Sequence, residues 1–293
     1  MKAEPISEAV GARVTGMDLR EEMDDSAFRA VHRAWLDHQV LVFPGQELTE
    51  DDQVRFTARF GELGTRQRKV GWAEEGRVSH PGTMLISNIR EDGKPIGSLP
   101  DGEMMFHSDG AFAKRPFRYT LLYALEVPSV GGNTMFANTY KAYDNLPEAL
   151  KSMLAGCHAE HRYYADNVQD AATRSLSGVQ DEATRSLSGV RQHPIFIEHE
   201  ETGRTALYVS RLMTAKIVEL PADESDAILE QLFDHSEKPE FIYEHVWTPG
   251  DFVIWDNRCL NHARTDFSES ERRLLRRTSV FGTDPIAATA RAA

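Results

Sequence analysis

Residues 247–262 read WTPGDFVIWDNRCLNH. Pro249-Gly250-Asp251 is turn chemistry, Phe252–Trp255 is an apolar run of strand length, and Asp256-Asn257-Arg258 turns the chain before His262. A strand that delivers a histidine just past a turn suits a β-rich fold in which distant segments meet. Working outward, Val10–Leu19, Gln39–Phe43, Thr83–Ile89, Tyr119–Leu125, Thr134–Ala137, Thr205–Val209 and Phe241–Val246 are also strand-like. Helical spacing appears from Asp25 and Ser26 to His38, from Asp51 and Asp52 to a stop at Gly61, and over Leu146–Leu154 and Ala222–Phe233. Short strands dominate the second half, which predicts a mainly β fold with flanking helices, a β-sandwich or jelly roll rather than a doubly wound sheet. No GxGxxG or Walker sequence supports nucleotide binding.

Composition narrows the function classes. The 293 residues carry a net charge of -13, which disfavours nucleic acid as a partner. No apolar run has membrane-spanning length and the N-terminus lacks a signal-peptide core, so no membrane association is expected. Two cysteines, Cys157 and Cys259, fit reduced thiols in a cytoplasmic protein better than a disulfide framework. Within this acidic chain, Arg272, Arg273, Arg276 and Arg277 form a positive cluster, which suits either a solvated face or an anion pocket. The segment Gln169–Val179 (QDAATRSLSGV) is repeated at once as Gln180–Val190 (QDEATRSLSGV). An eleven-residue copy is too short for a solenoid and reads as a duplication in a surface loop, or as a lengthened lid around 163–192.

The metal-binding signal starts at Phe106-His107-Ser108-Asp109-Gly110. On an extended chain, residues two apart share a face, so His107 and Asp109 can reach one ion, and Asp-Gly favours a turn. His262 supplies a remote third ligand. Two imidazoles and one carboxylate leave positions open for oxygen and a bidentate co-substrate, the facial arrangement of non-heme Fe(II) oxygenases. Of the other histidines, His158, His161, His193, His199 and His245 have no partner at comparable spacing, and His80, in the loop-rich stretch before the metal strand, is a further candidate to reach the pocket. Tyr119, Tyr123, Tyr163, Tyr164 and Tyr208 read as core or rim.

Taken together, GARVTGMDL (11–19), VLVFPGQ (40–46), FHSDG (106–110), PSVGGNT (128–134), TGRTALYVS (202–210), WDNRCLNH (255–262) and ERRLLRRTSV (271–280) resemble the taurine / 2,4-dichlorophenoxyacetate dioxygenase family nearly end to end. These are Fe(II)- and 2-oxoglutarate-dependent oxygenases. The resemblance implies one oxygenase domain over 1–293 with a double-stranded β-helix core. It makes His107, Asp109 and His262 the iron ligands, and it implies that Thr134 and Arg273 hold 2-oxoglutarate. Arg277 then binds an anionic substrate group and Trp255 walls the iron pocket. The implied reaction uses O2, decarboxylates 2-oxoglutarate to succinate, and hydroxylates a small anionic organic substrate, with C–O, C–S or C–N cleavage where the product is unstable. Asp109 separates the chain from halogenases of the superfamily, which carry a small residue there.

Arginine suits a buried dicarboxylate because its charge is permanent and its donors are paired. Residues 273, 275 and 277 share a strand face, so Arg273 and Arg277 are expected to line one interior, with Arg272 and Arg276 solvated or paired with Glu269 and Glu271. Residues 101–106 and the duplicated segment are particular to this chain, so no relative's substrate transfers. Asn88, Met104, Met105 and Phe112 are the further candidates for the substrate wall. A homo-oligomer, dimer or tetramer, is expected. Two other readings are a Zn(II) hydrolase, which leaves the paired arginines without a role, and a non-catalytic jelly-roll binding module.

Overall fold

A computed structural model describes residues 1–64, 78–97, 99, 104–113, 115–162 and 190–288. Two sheets frame the site. The larger has seven strands in the order Lys2–Pro5, Ala12–Thr15, Val40–Phe43, Phe252–Asp256, Phe117–Glu126, Leu274–Phe281, Met84–Ser87. The smaller has four, in the order Ile242–His245, Thr134–Asn138, Leu260–Arg264, Met104–His107. This is the jelly-roll core.

The continuous apolar runs have a simple cause. Along the large sheet, Val40, Val42, Leu122, Ala124, Val253 and Trp255 face inward, packing with Phe136 and Leu260 of the small sheet. Their neighbours Leu41, Phe43, Leu121, Tyr123, Phe252 and Ile254 face the other way, against Val31, Trp35 and Phe56 of two helices. Strands covered on both faces need no polar alternation. A third cluster joins Leu150 and Leu154 to Leu229, Leu232 and Phe233 of helix Ala222–Ser236.

Helix Asp25–His38 is capped by Asp24, whose carboxylate accepts from Ala27 N, rather than by Asp25 or Ser26. Gln39, expected to begin a strand, takes φ 60° and ends the helix instead, and its amide donates to the carbonyls of Leu36 and Asp37. The strand therefore starts at Val40. Helix Glu50–Ala58 begins one residue before Asp51, under a capping box formed by Thr49 and Asp52.

The sequence reading missed the helix Thr139–Asp144 and the short strands His158–His161, Arg191–Pro194, Phe196–Glu198 and Thr214–Ile217. Strands reading HAEH and RQHP carry too little apolar alternation to be seen. Of the expected lid over 163–192, residues 163–189 lie outside the described residues, and with them Tyr163, Tyr164 and all but the last residue of the duplication. Arg191 and Gln192 pair with His161 and Glu160, so the insertion joins two antiparallel neighbours. Among the described residues, no helix is long and apolar enough to cross a membrane.

Candidate active site

Antiparallel pairing builds the centre. His262 lies directly opposite His107 in the register of the small sheet, so both imidazoles rise from one face with ring centroids 4.1 Å apart. Asp109 follows in a turn closed by Gly110. At its φ of 72° a side chain is strained, and a Cβ there would meet the Phe117 ring at 3.2 Å. Asp109 Oδ1 lies 3.9 Å from His107 Nε2, and Asp109 Oδ2 lies 3.9 Å from His262 Nε2. One ligand atom from each residue falls within 4.8 Å of the others. That spacing suits a shared ion at metal–ligand lengths of about 2 Å.

The protonation states suit it too. His107 Nδ1 donates to Met105 O at 2.9 Å, which leaves the Nε2 lone pair for a metal. Burial pushes His107 below the ordinary imidazole range and His262 down to about 3, so both rings are neutral ligands at neutral pH. Burial acts to raise Asp109, but the Arg277 guanidinium, Nη1 3.4 Å from Oδ1, together with the two imidazoles and the Thr120 hydroxyl, outweighs it and keeps the carboxylate ionised.

The WDN turn wires this centre in place. Thr120 donates to Asp109 Oδ2 at 2.6 Å, and Asn257 Nδ2 donates to the Thr120 hydroxyl at 3.0 Å. Asn257 Oδ1 accepts from Trp255 Nε1 and, at 3.4 Å, from Asp109 N, while Ser108 donates to Asn257 O. His199 Nδ1 accepts from the backbone of Glu201 and Thr202, so its proton sits on Nε2 and is donated to Asp256 Oδ2 at 2.8 Å. That Asn257 and Thr120 orient the carboxylate is not visible in the sequence of the turn. Thr120 gave no signal, being one polar residue in an apolar strand.

A second group of residues lies beside the triad. Arg273, only 2% exposed, donates from Nε to Gly132 O and from its backbone N to Asn88 Oδ1, while Nη1 has no protein partner among the described residues. Burial and the neighbouring Arg264 push Arg273 down to about 9. A buried guanidinium with an unpartnered Nη1 calls for an anion, so Arg273 fits a carboxylate of a dicarboxylate. Gly132 allows the approach: a Cβ there would stand 3.2 Å from Arg273 Nε. Thr134 lies opposite Arg264 in the ladder, and its hydroxyl accepts from Trp247 Nε1 at 3.0 Å.

The other expected residues sort clearly. Trp255 packs against His262 with centroids 4.8 Å apart. Met104 and Phe112 are half-buried and flank His107 and Asp109 along the chain. Asn88 is committed to backbone: it accepts from Arg273 N and donates to Glu271 O, which makes it a support for Arg273. Simple alternation does not place the arginines. Arg273 precedes the strand and the register shifts between Leu274 and Leu275, yet Arg277 still reaches Asp109.

Arg276 corrects an expectation, because it is buried rather than solvated. It lies beneath helix Glu50–Ala58 and donates to Gln53 Oε1 and the carbonyls of Leu48 and Thr49. Arg272 is exposed and pairs with Glu126, while Glu271 turns to Ser129. His80 Nδ1 accepts from Gly82 N within its own turn, which Glu50 ties down through its bonds to Ser79 and His80. His158 pairs with Glu219, and His193 bonds Ala111 O.

The model of the family described as "Taurine catabolism dioxygenase TauD, TfdA family" matches residues 2–279. The chain is 33% identical to the (S)-phenoxypropionate/alpha-ketoglutarate-dioxygenase of Sphingobium herbicidovorans, over 98% of this chain and 96% of that one. It is 35% identical to the alpha-ketoglutarate-dependent 2,4-dichlorophenoxyacetate dioxygenase of Cupriavidus pinatubonensis, over 95% and 97%. The solved structure of AAD-2 in complex with Mn(II) and N-oxalylglycine superposes with a TM-score of 0.80 at 28% identity, over 97% of this chain and 99% of that one.

Proposed function

This chain belongs to the taurine catabolism dioxygenase TauD, TfdA family, and we propose that it oxidises a small organic anion steered by Arg277, with His107, Asp109 and His262 as its iron ligands. It is an Fe(II)- and 2-oxoglutarate-dependent dioxygenase that uses O2. Bound iron supplies the redox chemistry that couples decarboxylation of 2-oxoglutarate to succinate with hydroxylation of a substrate C–H. The chain's own residues hold the partners. Arg273 and Thr134 grip 2-oxoglutarate, Trp255 closes the wall behind His262, and the Thr120–Asn257 pair fixes Asp109. Hydroxylation next to an ether oxygen, sulfonate or amine leads on to bond cleavage.

One observation carries the substrate class. Arg277 is 21% exposed and contacts the metal-side carboxylate; among the described residues its one ion pair is that to Asp109, and its guanidinium otherwise stands over the Phe117 ring. Relatives named for phenoxypropionate and 2,4-dichlorophenoxyacetate support an anion. The test is anaerobic: Fe(II) plus 2-oxoglutarate should give a visible charge-transfer band, and tight Zn(II) binding without that band would refute the assignment. A panel of carboxylates and sulfonates screened for succinate release then identifies the substrate. Arg277→Leu should raise the KM of that substrate far more than that of 2-oxoglutarate; an equal rise in both refutes the role of Arg277.

The same reading takes residues 1–293 as one domain, since the seven-stranded sheet joins Lys2–Pro5 to Leu274–Phe281. It places the enzyme in a reducing cytoplasm, on the free thiols Cys157 and Cys259. It includes a homo-oligomer, for which sedimentation gives the test.

A further inference from the structure

Trp247 has no role in the site as described so far, yet it makes a directional contact with it. Its indole Nε1 donates to Thr134 Oγ1 at 3.0 Å, and the side chain is buried. An indole N–H can only donate, whereas a hydroxyl has one proton and two lone pairs. Thr134 must therefore be the acceptor in this bond, and its own proton is left over. Among the described residues, that proton has no protein acceptor.

We infer that Trp247 is a positioning residue that fixes the Thr134 hydroxyl as a donor to the carboxylate of the 2-oxoglutarate co-substrate. The inference rests on the reading above in which Thr134 holds that carboxylate. Without the indole, the hydroxyl is free to rotate and spend its proton elsewhere. With it, the Thr134 proton and the partnerless Nη1 of Arg273 are both left to donate to a ligand. A carboxylate is acceptor-only, so it matches such donors.

The indole is itself held. His245 packs edge-on against it, with centroids 4.6 Å apart at 85°. Asp251 Oδ2 lies 3.1 Å from His245 Nε2, and the Tyr243 hydroxyl lies 3.0 Å from Nδ1. His245 is also the ladder partner of Thr134, so the segment that sets the indole is the strand beside the hydroxyl it serves. Donor and acceptor are thus fixed by one stretch of sheet.

The test is a binding measurement on Mn(II)-loaded protein titrated calorimetrically with N-oxalylglycine. Trp247→Phe should weaken binding roughly three- to tenfold, the range of one net hydrogen bond, with Mn(II) affinity unchanged. Replacing Trp247 with its benzothiophene isostere, which keeps the ring shape and loses the N–H, should do the same even where the phenylalanine variant folds poorly. Thr134→Val should weaken binding by at least as much, and adding Trp247→Phe to it should cost nothing further, because the two act through one bond. Full additivity of the two losses, or an isostere that binds as the wild type, overturns the role of Trp247 alone. A Thr134→Val protein that binds as the wild type removes the reading beneath it and overturns both.

Discussion

The protein buries two pairs of neighbouring histidines, and they differ in what surrounds them. His107 and His262 stand 4.1 Å apart, with the ionised Asp109 within 3.9 Å of each and Arg277 beyond. His161 and His193 stand 5.5 Å apart against Tyr208, with Thr214 and the carbonyl of Ala111 as their polar neighbours. Burial alone keeps both pairs neutral, so a neutral imidazole is no mark of function. What separates a metal centre from a packed core is the buried carboxylate. It persists as an anion because Thr120, Asn257 and Arg277 are arranged around it.

That contrast is easiest to break at the ligands. His262→Ala should abolish the Fe(II)/2-oxoglutarate band and turnover, a loss beyond the roughly 10- to 100-fold typical of removing a residue that supports a ligand. His161→Phe should leave metal stoichiometry intact. Retained iron binding in the first variant, or its loss in the second, would invert the assignment of the two pairs.

Next come the supports. Thr120→Val removes the hydroxyl that holds Asp109 Oδ2 and leaves Asn257 Nδ2 without its acceptor. Iron affinity should fall roughly 10- to 100-fold, with the 2-oxoglutarate KM rising less. Arg273→Leu should show the opposite split, a rise of roughly 10- to 100-fold in the 2-oxoglutarate KM and little change in iron affinity, as expected for losing a charged donor. Titrating each variant with Fe(II) and then with 2-oxoglutarate separates the two.

The second pair has its own signature, in stability. Burial holds His161 down to about 3 against an ordinary 6.5, so the unfolded chain takes up a proton that the folded chain refuses. The folded-state value is depressed, so this contribution is harmless above pH 6.5 and erodes stability as pH falls from there toward 3. At pH 5 the loss is about 2 kcal/mol. Denaturant melts between pH 7 and 5 should therefore show a shallower decline for His161→Phe than for the wild type. A parallel decline in both would assign the acid sensitivity to other groups.

How much of this was legible depends on how each residue carries its information. The metal triad was legible as a candidate because His-x-Asp in an extended segment and a histidine after a strand and turn are local patterns, which the family resemblance alone made specific. The jelly roll was readable because strands covered on both faces are continuous apolar runs. Strands such as His158–His161 were not, since their side chains are polar and their order comes from their partners. Thr120, Asn257 and Trp247 were hidden for another reason. Each reaches the site by a hydrogen bond to a residue at least eleven positions away, and nothing in a sequence announces such a bond.

The arginine cluster yields the smallest expected effects. Arg276 and Arg272 looked alike as outward-facing neighbours of Arg277 and Arg273. The large sheet's outer face is covered by helices, so facing outward there means burial, and Arg276 satisfies Gln53 and two carbonyls at the start of helix Glu50–Ala58. Arg276→Met keeps most of the apolar stem but strands those acceptors, which should cost about 1–3 kcal/mol in denaturant unfolding. Arg272 meets Glu126 in open solvent, where pairing is screened and side-chain entropy offsets it. Arg272→Ala should leave the unfolding midpoint where it is. If the two variants shifted the midpoint equally, the helix covering Arg276 would not be the source of the difference, and the solvated reading of both residues would stand.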